Sequence, residues 1–239
     1  MAGVAVESIL VDFDGTACAT DVAGALCTRF CLEGWEAFDE AVQAGTATLR
    51  HAIRQQATML QGERTEMLSF ARANFAMDAS FSPFVRWATA CDLGVVIVSD
   101  GFGFYIEPML ADAGLSGLPV VANRLVGSAG RWRLDHPHGH PQCVGCGTCK
   151  MLAVLEGQRR SGAVAFVGEG QSDRYGAAYA DLVFAKERLA VICSTEGIPY
   201  VPWTSFDDVR EILTSTTPST PRSAPPVCPG WTPSPDLRR

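Results

Sequence analysis

Asp12 and Asp14 stand two residues apart at the end of an apolar run, in Asp12-Phe13-Asp14-Gly15-Thr16. Side chains at that spacing leave an extended chain in the same direction, and Gly15 and Thr16 let the chain turn just beyond them. Following an apolar run and beside a Gly, such a pair of carboxylates reads as functional. The plain alternative is two solvated turn aspartates. Ser99-Asp100-Gly101 follows a second apolar run. A hydroxyl beside exposed N–H groups suits a phosphate, although a Ser-Asp helix cap before a Gly turn uses the same residues. Lys150 opens a helical stretch reaching Arg160. A cation there opposes the helix dipole, so it is either a solvated lysine or the neutraliser of a bound anion. Last comes Gly168-Glu169-Gly170-Gln171-Ser172-Asp173, whose two acids on a Gly-rich loop offer half of a Mg²⁺ site.

Three short, non-alternating apolar runs, 4–13, 93–98 and 163–167, read as buried parallel strands. Weaker strand signals cover 118–122 and 180–185. Helical segments lie between them, which predicts a layered α/β fold with a Rossmann-like parallel sheet. In such sheets ligands bind just beyond the carboxyl ends of the strands, so polar clusters at three strand ends are expected to converge. Between the first two clusters the period is helical: Leu49, Ile53, Ala57 and Leu60 share a face, as do Leu68, Ala71 and Phe75. The stretch is too long for an ordinary crossover. Residues 17–79 are therefore expected to form a helical cap of about four helices, divided near Gly34, Gly45 and Gly62. The core would be 1–16 and 80–213. Residues 214–239 carry seven of the 14 Pro and read as a disordered extension.

Of 239 residues, 19 are Lys or Arg and 26 are Asp or Glu, giving a net charge of −7. That balance argues against nucleic acid or an anionic membrane surface as partner. Apolar residues make up 47%, enough for a buried core. No stretch approaches the ~20 apolar residues of a membrane-spanning helix. The first charged residue is the acidic Glu7, which argues against a secretory signal. The nine Cys are an odd number in a chain too long to depend on disulfides, and read as reduced thiols of a cytoplasmic protein.

The order DFDGT (12–16), SDG (99–101), Lys150 and GEGQSD (168–173) resembles the haloacid dehalogenase superfamily of phosphatases, over about residues 5–213. Further stretches, DGFGFYI (100–106), VVANRL (120–125), CGTCK (146–150) and ADLVFAKERL (180–189), resemble its subfamily IB, with the phosphoserine phosphatases and, more closely, the MtnX-like phosphatases. The resemblance implies a Mg²⁺-dependent phosphomonoesterase. Asp12 would be the nucleophile that forms an aspartyl phosphate, and Asp14 the acid and base. Ser99, Asp100, Gly101 and Lys150 would bind the phosphate. Asp12, Asp14, Glu169 and Asp173 would hold the metal. Glu169 departs from the family's usual Asp, and its extra methylene strains an octahedral Mg²⁺ site.

Specificity is expected from Asp21, Phe102 and Tyr105, with Phe30, Trp35 and Phe104 as further candidates; Asp21 could equally be a helix N-cap. The substrate would be a small phosphorylated metabolite: an MtnX-like keto-sugar phosphate, a phosphoserine-type ester, a sugar or cyclitol phosphate, or a phosphoethanolamine-like ester. A reading from another class is a binding or regulatory module with weak chemistry, on the strength of Glu169 and the tail. The segment 136–149 holds three His together with Cys143, Cys146 and Cys149. Those thiols would suit a structural Zn²⁺ site, or belong to a surface loop leading into Lys150.

Overall fold

The computed structural model describes residues 6–215; the Pro-rich stretch from 216 onward lies outside the described residues. The chain begins with β1 (Val6–Val11), and four helices follow: α1 (Val22–Phe30), α2 (Glu36–Gln43), α3 (Leu49–Met59) and α4 (Arg64–Asn74). Next come α5 (Phe81–Ala90), β2 (Gly94–Phe102), α6 (Gly103–Asp112), β3 (Val120–Val126) and β4 (Arg133–Asp135). The last third holds α7 (Lys150–Ser161), β5 (Ala163–Gly168), α8 (Arg174–Tyr179), β6 (Leu182–Ala185), α9 (Glu187–Glu196), β7 (Val201–Pro202) and α10 (Phe206–Thr214).

The seven strands form one sheet in the order β4-β3-β2-β1-β5-β6-β7. All neighbours are parallel except the antiparallel β3–β4 pair. This is the α/β fold with a parallel sheet expected from the apolar runs. β1 lies between β2 and β5, with Leu10 opposite both Val96 and Phe166. A central strand buried on both faces needs apolar residues at successive positions, and Ile9, Leu10 and Val11 are all buried. They divide by parity. Ile9 and Val11 join Val95, Ile97, Ala165 and Val167 in the core on one face, while Leu10 joins Val98, Val164 and Phe166 on the other.

β2 is longer than its apolar run suggests. It continues through Ser99, Asp100 and Gly101 to Phe102, which pairs with Asn123 of β3 after an irregularity in the register. The SDG triplet thus sits within the end of a strand. Helix α1 is capped by Asp21, whose Oδ1 accepts from the Gly24 N–H at 2.9 Å. Thr48 caps α3, and Glu63 with Glu66 forms a reciprocal cap on α4. No helix among the described residues is long and apolar enough to cross a membrane.

Candidate functional site

Strands β1, β2 and β5 are adjacent and parallel, so their carboxyl ends bring three separate sequence segments side by side. Asp12 is fixed by its own N–H, which donates to the Val167 carbonyl of β5 at 3.0 Å. Asp12 is 5% exposed, and its carboxylate meets the Lys150 ammonium, with Nζ 2.6 Å from Oδ1. Lys150 is the first residue of α7, and its side chain is buried. Its other donors go to Asp173 Oδ1 at 2.6 Å and Ser172 Oγ at 3.1 Å. Three N–H bonds satisfy an ammonium completely, so Lys150 bridges Asp12 to the loop after β5.

Asp14 has a different setting. Its Oδ1 accepts from the N–H groups of Val22 and Ala23 at 2.9 and 3.4 Å, at the start of α1. Its Oδ2 accepts from the Tyr105 hydroxyl at 2.7 Å and the Ser99 hydroxyl at 3.4 Å. Ser99 is buried and its Oγ accepts from the Gly101 N–H at 2.8 Å. Gly101 must lack a side chain, because a Cβ there would stand 2.6 Å from Asp14 Oδ2 and collide with the Tyr105 hydroxyl. The Asp100 Oδ1 accepts from the Thr148 N–H at 2.7 Å, which ties the end of β2 to the residues leading into α7.

Burial and crowding of like charges raise the acids. Burial and the Asp173 charge push Asp12 well above its ordinary value, with Lys150 opposing. Asp14 is raised to about 7 by burial and then by the Asp21 charge, against the hydrogen bond from Tyr105. Burial and the Asp173 charge raise Glu169. For Lys150 burial works downward, but the charges of Asp12, Asp173 and Asp100 outweigh it and raise the ammonium. One buried cation faces several carboxylates, an arrangement that favours a further positive charge.

These residues open into a cavity of about 220 Å³. Asp12, Asp14, Ser99, Asp100, Gly101, Phe102 and Glu169 line it from the strand ends, and Asp21, Cys27, Trp35, Asp39, Ile53 and Gln56 from the helices α1 to α3. Glu169 reaches across the turn after β1: a Cβ on Gly15, whose φ is +73°, would stand 2.8 Å from the Glu169 carboxyl carbon. The longer arm of Glu169 is thereby folded back over the backbone next to Asp14. Among the described residues no three His, Cys, Asp or Glu side chains are gathered closely enough to hold a metal ion. The carboxylates that line the cavity from the strand-end side are those of Asp12, Asp14, Asp100 and Glu169. All are hard oxygens, and the Asp14 carboxylate is already engaged elsewhere.

Several residues sit otherwise than expected. Asp173, expected as a metal ligand, is fully buried and spends both oxygens inside the protein. Oδ1 pairs with Lys150, and Oδ2 accepts from the N–H groups of Glu169 and Gly170 at 3.0 and 2.9 Å. Tyr105, expected as a specificity residue, is fully buried, does not line the cavity, and holds Asp14. Phe30 lines a separate surface pocket with Gln61 and Phe70, and Phe104 packs on Phe102 and Tyr105. Asp21 both caps α1 and lines the cavity. Reading the sequence missed Asp39, Gln56 and Ile53. Of these, only Ile53 lay on an apolar stripe, and a stripe marks core as readily as a site. Zinc at Cys143, Cys146 and Cys149 finds no support. The Cys143 sulfur accepts from the Gly145 N–H, and the loop is held by Arg50, whose Nε donates to the Cys146 carbonyl at 2.6 Å.

A family model described as haloacid dehalogenase-like hydrolase matches residues 9–178. A 2-hydroxy-3-keto-5-methylthiopentenyl-1-phosphate phosphatase of Geobacillus kaustophilus is 27% identical over 208 residues, covering 86% of this chain and 94% of the relative. One of the same description from Lysinibacillus sphaericus is 27% identical over 213 residues, covering 86% and 92%. Among solved structures, a phospho-aspartyl intermediate analogue of phosphoserine phosphatase superposes with a TM-score of 0.64 at 18% identity, covering 87% of this chain and 97% of that one. A HAD family hydrolase from Salmonella enterica serovar Typhi gives 0.71 at 14% identity, covering 89% and 72%. At these identities the structural likeness speaks for the fold.

Proposed function

This chain belongs to the haloacid dehalogenase-like hydrolase family, and from that premise we propose that it is a phosphatase that hydrolyses a small phosphomonoester through a phosphorylated Asp12. The observation that carries the reading is the division of labour between two carboxylates of one strand end. Asp12 is oriented by a buried ammonium, whereas Asp14 is turned toward a buried phenol and a serine hydroxyl. Two acids with such different partners suit two different roles.

Asp12 Oδ1 is held by Lys150, which leaves Oδ2 to attack phosphorus in line with the ester oxygen. The P–O bond to the alcohol breaks as the aspartyl phosphate forms, and Asp14 delivers a proton to the departing alkoxide. Asp14 then takes a proton from water as the water oxygen attacks phosphorus, which frees inorganic phosphate and restores Asp12. A covalent intermediate splits one difficult displacement into two easier ones. The Ser99 hydroxyl and the Gly101 amide would receive the phosphoryl oxygens. Asp173 positions Lys150 and the 168–173 loop, and Tyr105 positions Asp14. Mg²⁺, the ion phosphatases of this family generally use, would be held by Asp12, the Asp14 carbonyl and Glu169, and supplies the positive charge that lets a carboxylate approach a phosphate dianion.

Residues 17–79 act as a cap over the strand ends and keep bulk water from the reacting groups. A cavity of about 220 Å³ admits a metabolite and rejects a phosphorylated protein side chain in its fold. The curated relatives are named for a small methylthio keto-sugar phosphate, an ester of the same size class. Asp12→Asn is expected to abolish turnover of para-nitrophenyl phosphate with Mg²⁺ present while leaving Tm within a few degrees of the parent. Turnover at the parent rate would overturn the assignment.

A further inference from the structure

The helical wall of the cavity has a composition that the hydrolytic chemistry does not explain. It is formed by Asp21 and Asp39, with Trp35, Cys27, Ile53 and Gln56. No Lys or Arg lines the cavity among the described residues. Asp21 and Asp39 have no ion-pair partner among the described residues either. Each uses one oxygen within the protein: Asp21 Oδ1 accepts from the Gly24 N–H, and Asp39 Oδ1 accepts from the Gln56 amide at 2.8 Å. Gln56 is itself buried, so it fixes the Asp39 carboxylate from behind. From the core side, Asp100 lines the same cavity, and its Oδ2 is shielded from solvent without a hydrogen-bond partner among the described residues. A buried acceptor left unpaired costs free energy unless a ligand donates to it.

Resting on the hydrolase reading above, we propose that the alcohol released by this enzyme carries an ammonium group, so that the substrate class is a small amino-alcohol phosphate. Asp21 and Asp39 meet the cation from the helical side, the indole of Trp35 offers it a π face, and Asp100 receives an N–H or O–H of the same molecule. A carboxylate on the leaving group, as in a phosphoserine-type ester, would meet acids and no compensating cation, which is selection by repulsion as well as attraction. A neutral alcohol would be tolerated and gain nothing from the charges. The ammonium remains unchanged through the reaction; it serves for orientation, while the bond broken is the P–O ester bond at the other end.

The test compares isosteric esters with the intact, Mg²⁺-loaded protein: 2-aminoethyl phosphate, n-propyl phosphate and phosphoglycolate, with para-nitrophenyl phosphate as a control for the chemistry itself. The expected order of kcat/KM is cation, then neutral, then anion, with about tenfold or more between first and second, the size of one charge interaction in a partly solvated site. That preference should shrink as salt is raised. Asp39→Asn should lower kcat/KM for 2-aminoethyl phosphate about tenfold, mainly through KM, and change that of n-propyl phosphate less than twofold. Trp35→Leu should narrow the same ratio if Asp39→Asn folds poorly. Equal or better turnover of the neutral or anionic ester, or of a methylthio keto-sugar phosphate over every amine, would overturn the inference and leave the hydrolase reading intact. Failure of all esters, para-nitrophenyl phosphate included, would overturn both.

Discussion

The two walls of the cavity are built on opposite principles. Behind the strand-end wall, charge is buried and tied together: Asp12, Lys150 and Asp173 are all nearly inaccessible, and Lys150 has a partner for each of its N–H groups. On the helical wall, Asp21 is exposed, Asp39 is half-buried, and each has an oxygen that the protein leaves without a donor. Helix α2 has no fully buried residue at all, whereas β5 is buried along almost its whole length. The first wall is over-determined, so its geometry holds without substrate. The second has spare bonding capacity, which is what recognition of a ligand requires. Rigid chemistry is thus paired with an adaptable specificity surface, and the two can vary independently.

The sharpest way to break this contrast is to remove the cation behind the strand-end wall. Lys150→Met leaves Asp12 and Asp173 buried against one another. Losing one partner of a buried ion pair costs about 3–5 kcal/mol, which for a domain of this size lowers Tm by about 10 °C. Misplacing the nucleophile should also reduce kcat by about a thousandfold, the scale of losing a preorganised charge. Calorimetry and a para-nitrophenyl phosphate assay together check this. A stable, active Lys150→Met protein would show that the strand-end wall is no more rigid than the helical one.

Metal removal comes next. Chelation should abolish turnover, and Mg²⁺ should restore it. Glu169→Gln should weaken the dependence on Mg²⁺ about ten- to hundredfold, the usual effect of altering a ligand or its support. The readout is the Mg²⁺ concentration at half-maximal rate; an unchanged value would remove Glu169 from the metal site. Tyr105→Phe follows with a smaller loss, about tenfold in kcat with little change in KM, because only one hydrogen bond to Asp14 disappears while the ring keeps its packing. Equal activity would mean that Asp14 is held by α1 and Ser99 alone.

Legibility in the sequence followed the same division. The strands that carry Asp12 and Ser99 are short apolar runs whose ends are marked by polar residues and Gly, so both the fold and the convergence of their ends could be read from local pattern. The role of Asp173 could not, because its partner Lys150 is brought to it by the packing of α7 against α8 and β5; a Gly-rich acidic loop looks the same whether its acid binds metal or lysine. Tyr105 was misjudged for a similar reason. An aromatic beside a phosphate motif suggests a substrate contact, yet the orientation of α6 buries the ring and turns its hydroxyl onto Asp14. Asp39 and Gln56 carried no motif at all, since nothing local distinguishes a cavity-lining polar residue from one on a solvated helix face.

The smallest expected effect concerns the seam between the two walls. His136 Nδ1 lies 2.7 Å from Asn123 Oδ1. The Asn123 amide donates to the Asp100 carbonyl at 2.6 Å, which leaves Oδ1 as the acceptor and His136 Nδ1 as the donor. His136 Nε2 is buried without a partner among the described residues. Burial, with the charges of Arg50 and Arg54 on α3, lowers His136 to about 4 from an ordinary value of 6.5. In the fold the ring therefore stays neutral, while in the unfolded chain it takes up a proton below about pH 6.5. Stability from this source is fully present above that pH and is lost progressively as pH falls toward 4, because the unfolded state binds the extra proton. His136→Asn should flatten the fall in Tm between pH 6.5 and 4 relative to the parent, while changing Tm little at pH 8. The difference between the two proteins is the quantity to follow, because the raised acids Asp12 and Asp14 contribute a slope of opposite sign that is common to both. Parallel Tm profiles would mean that the ring is as accessible to protons in the fold as in the unfolded chain.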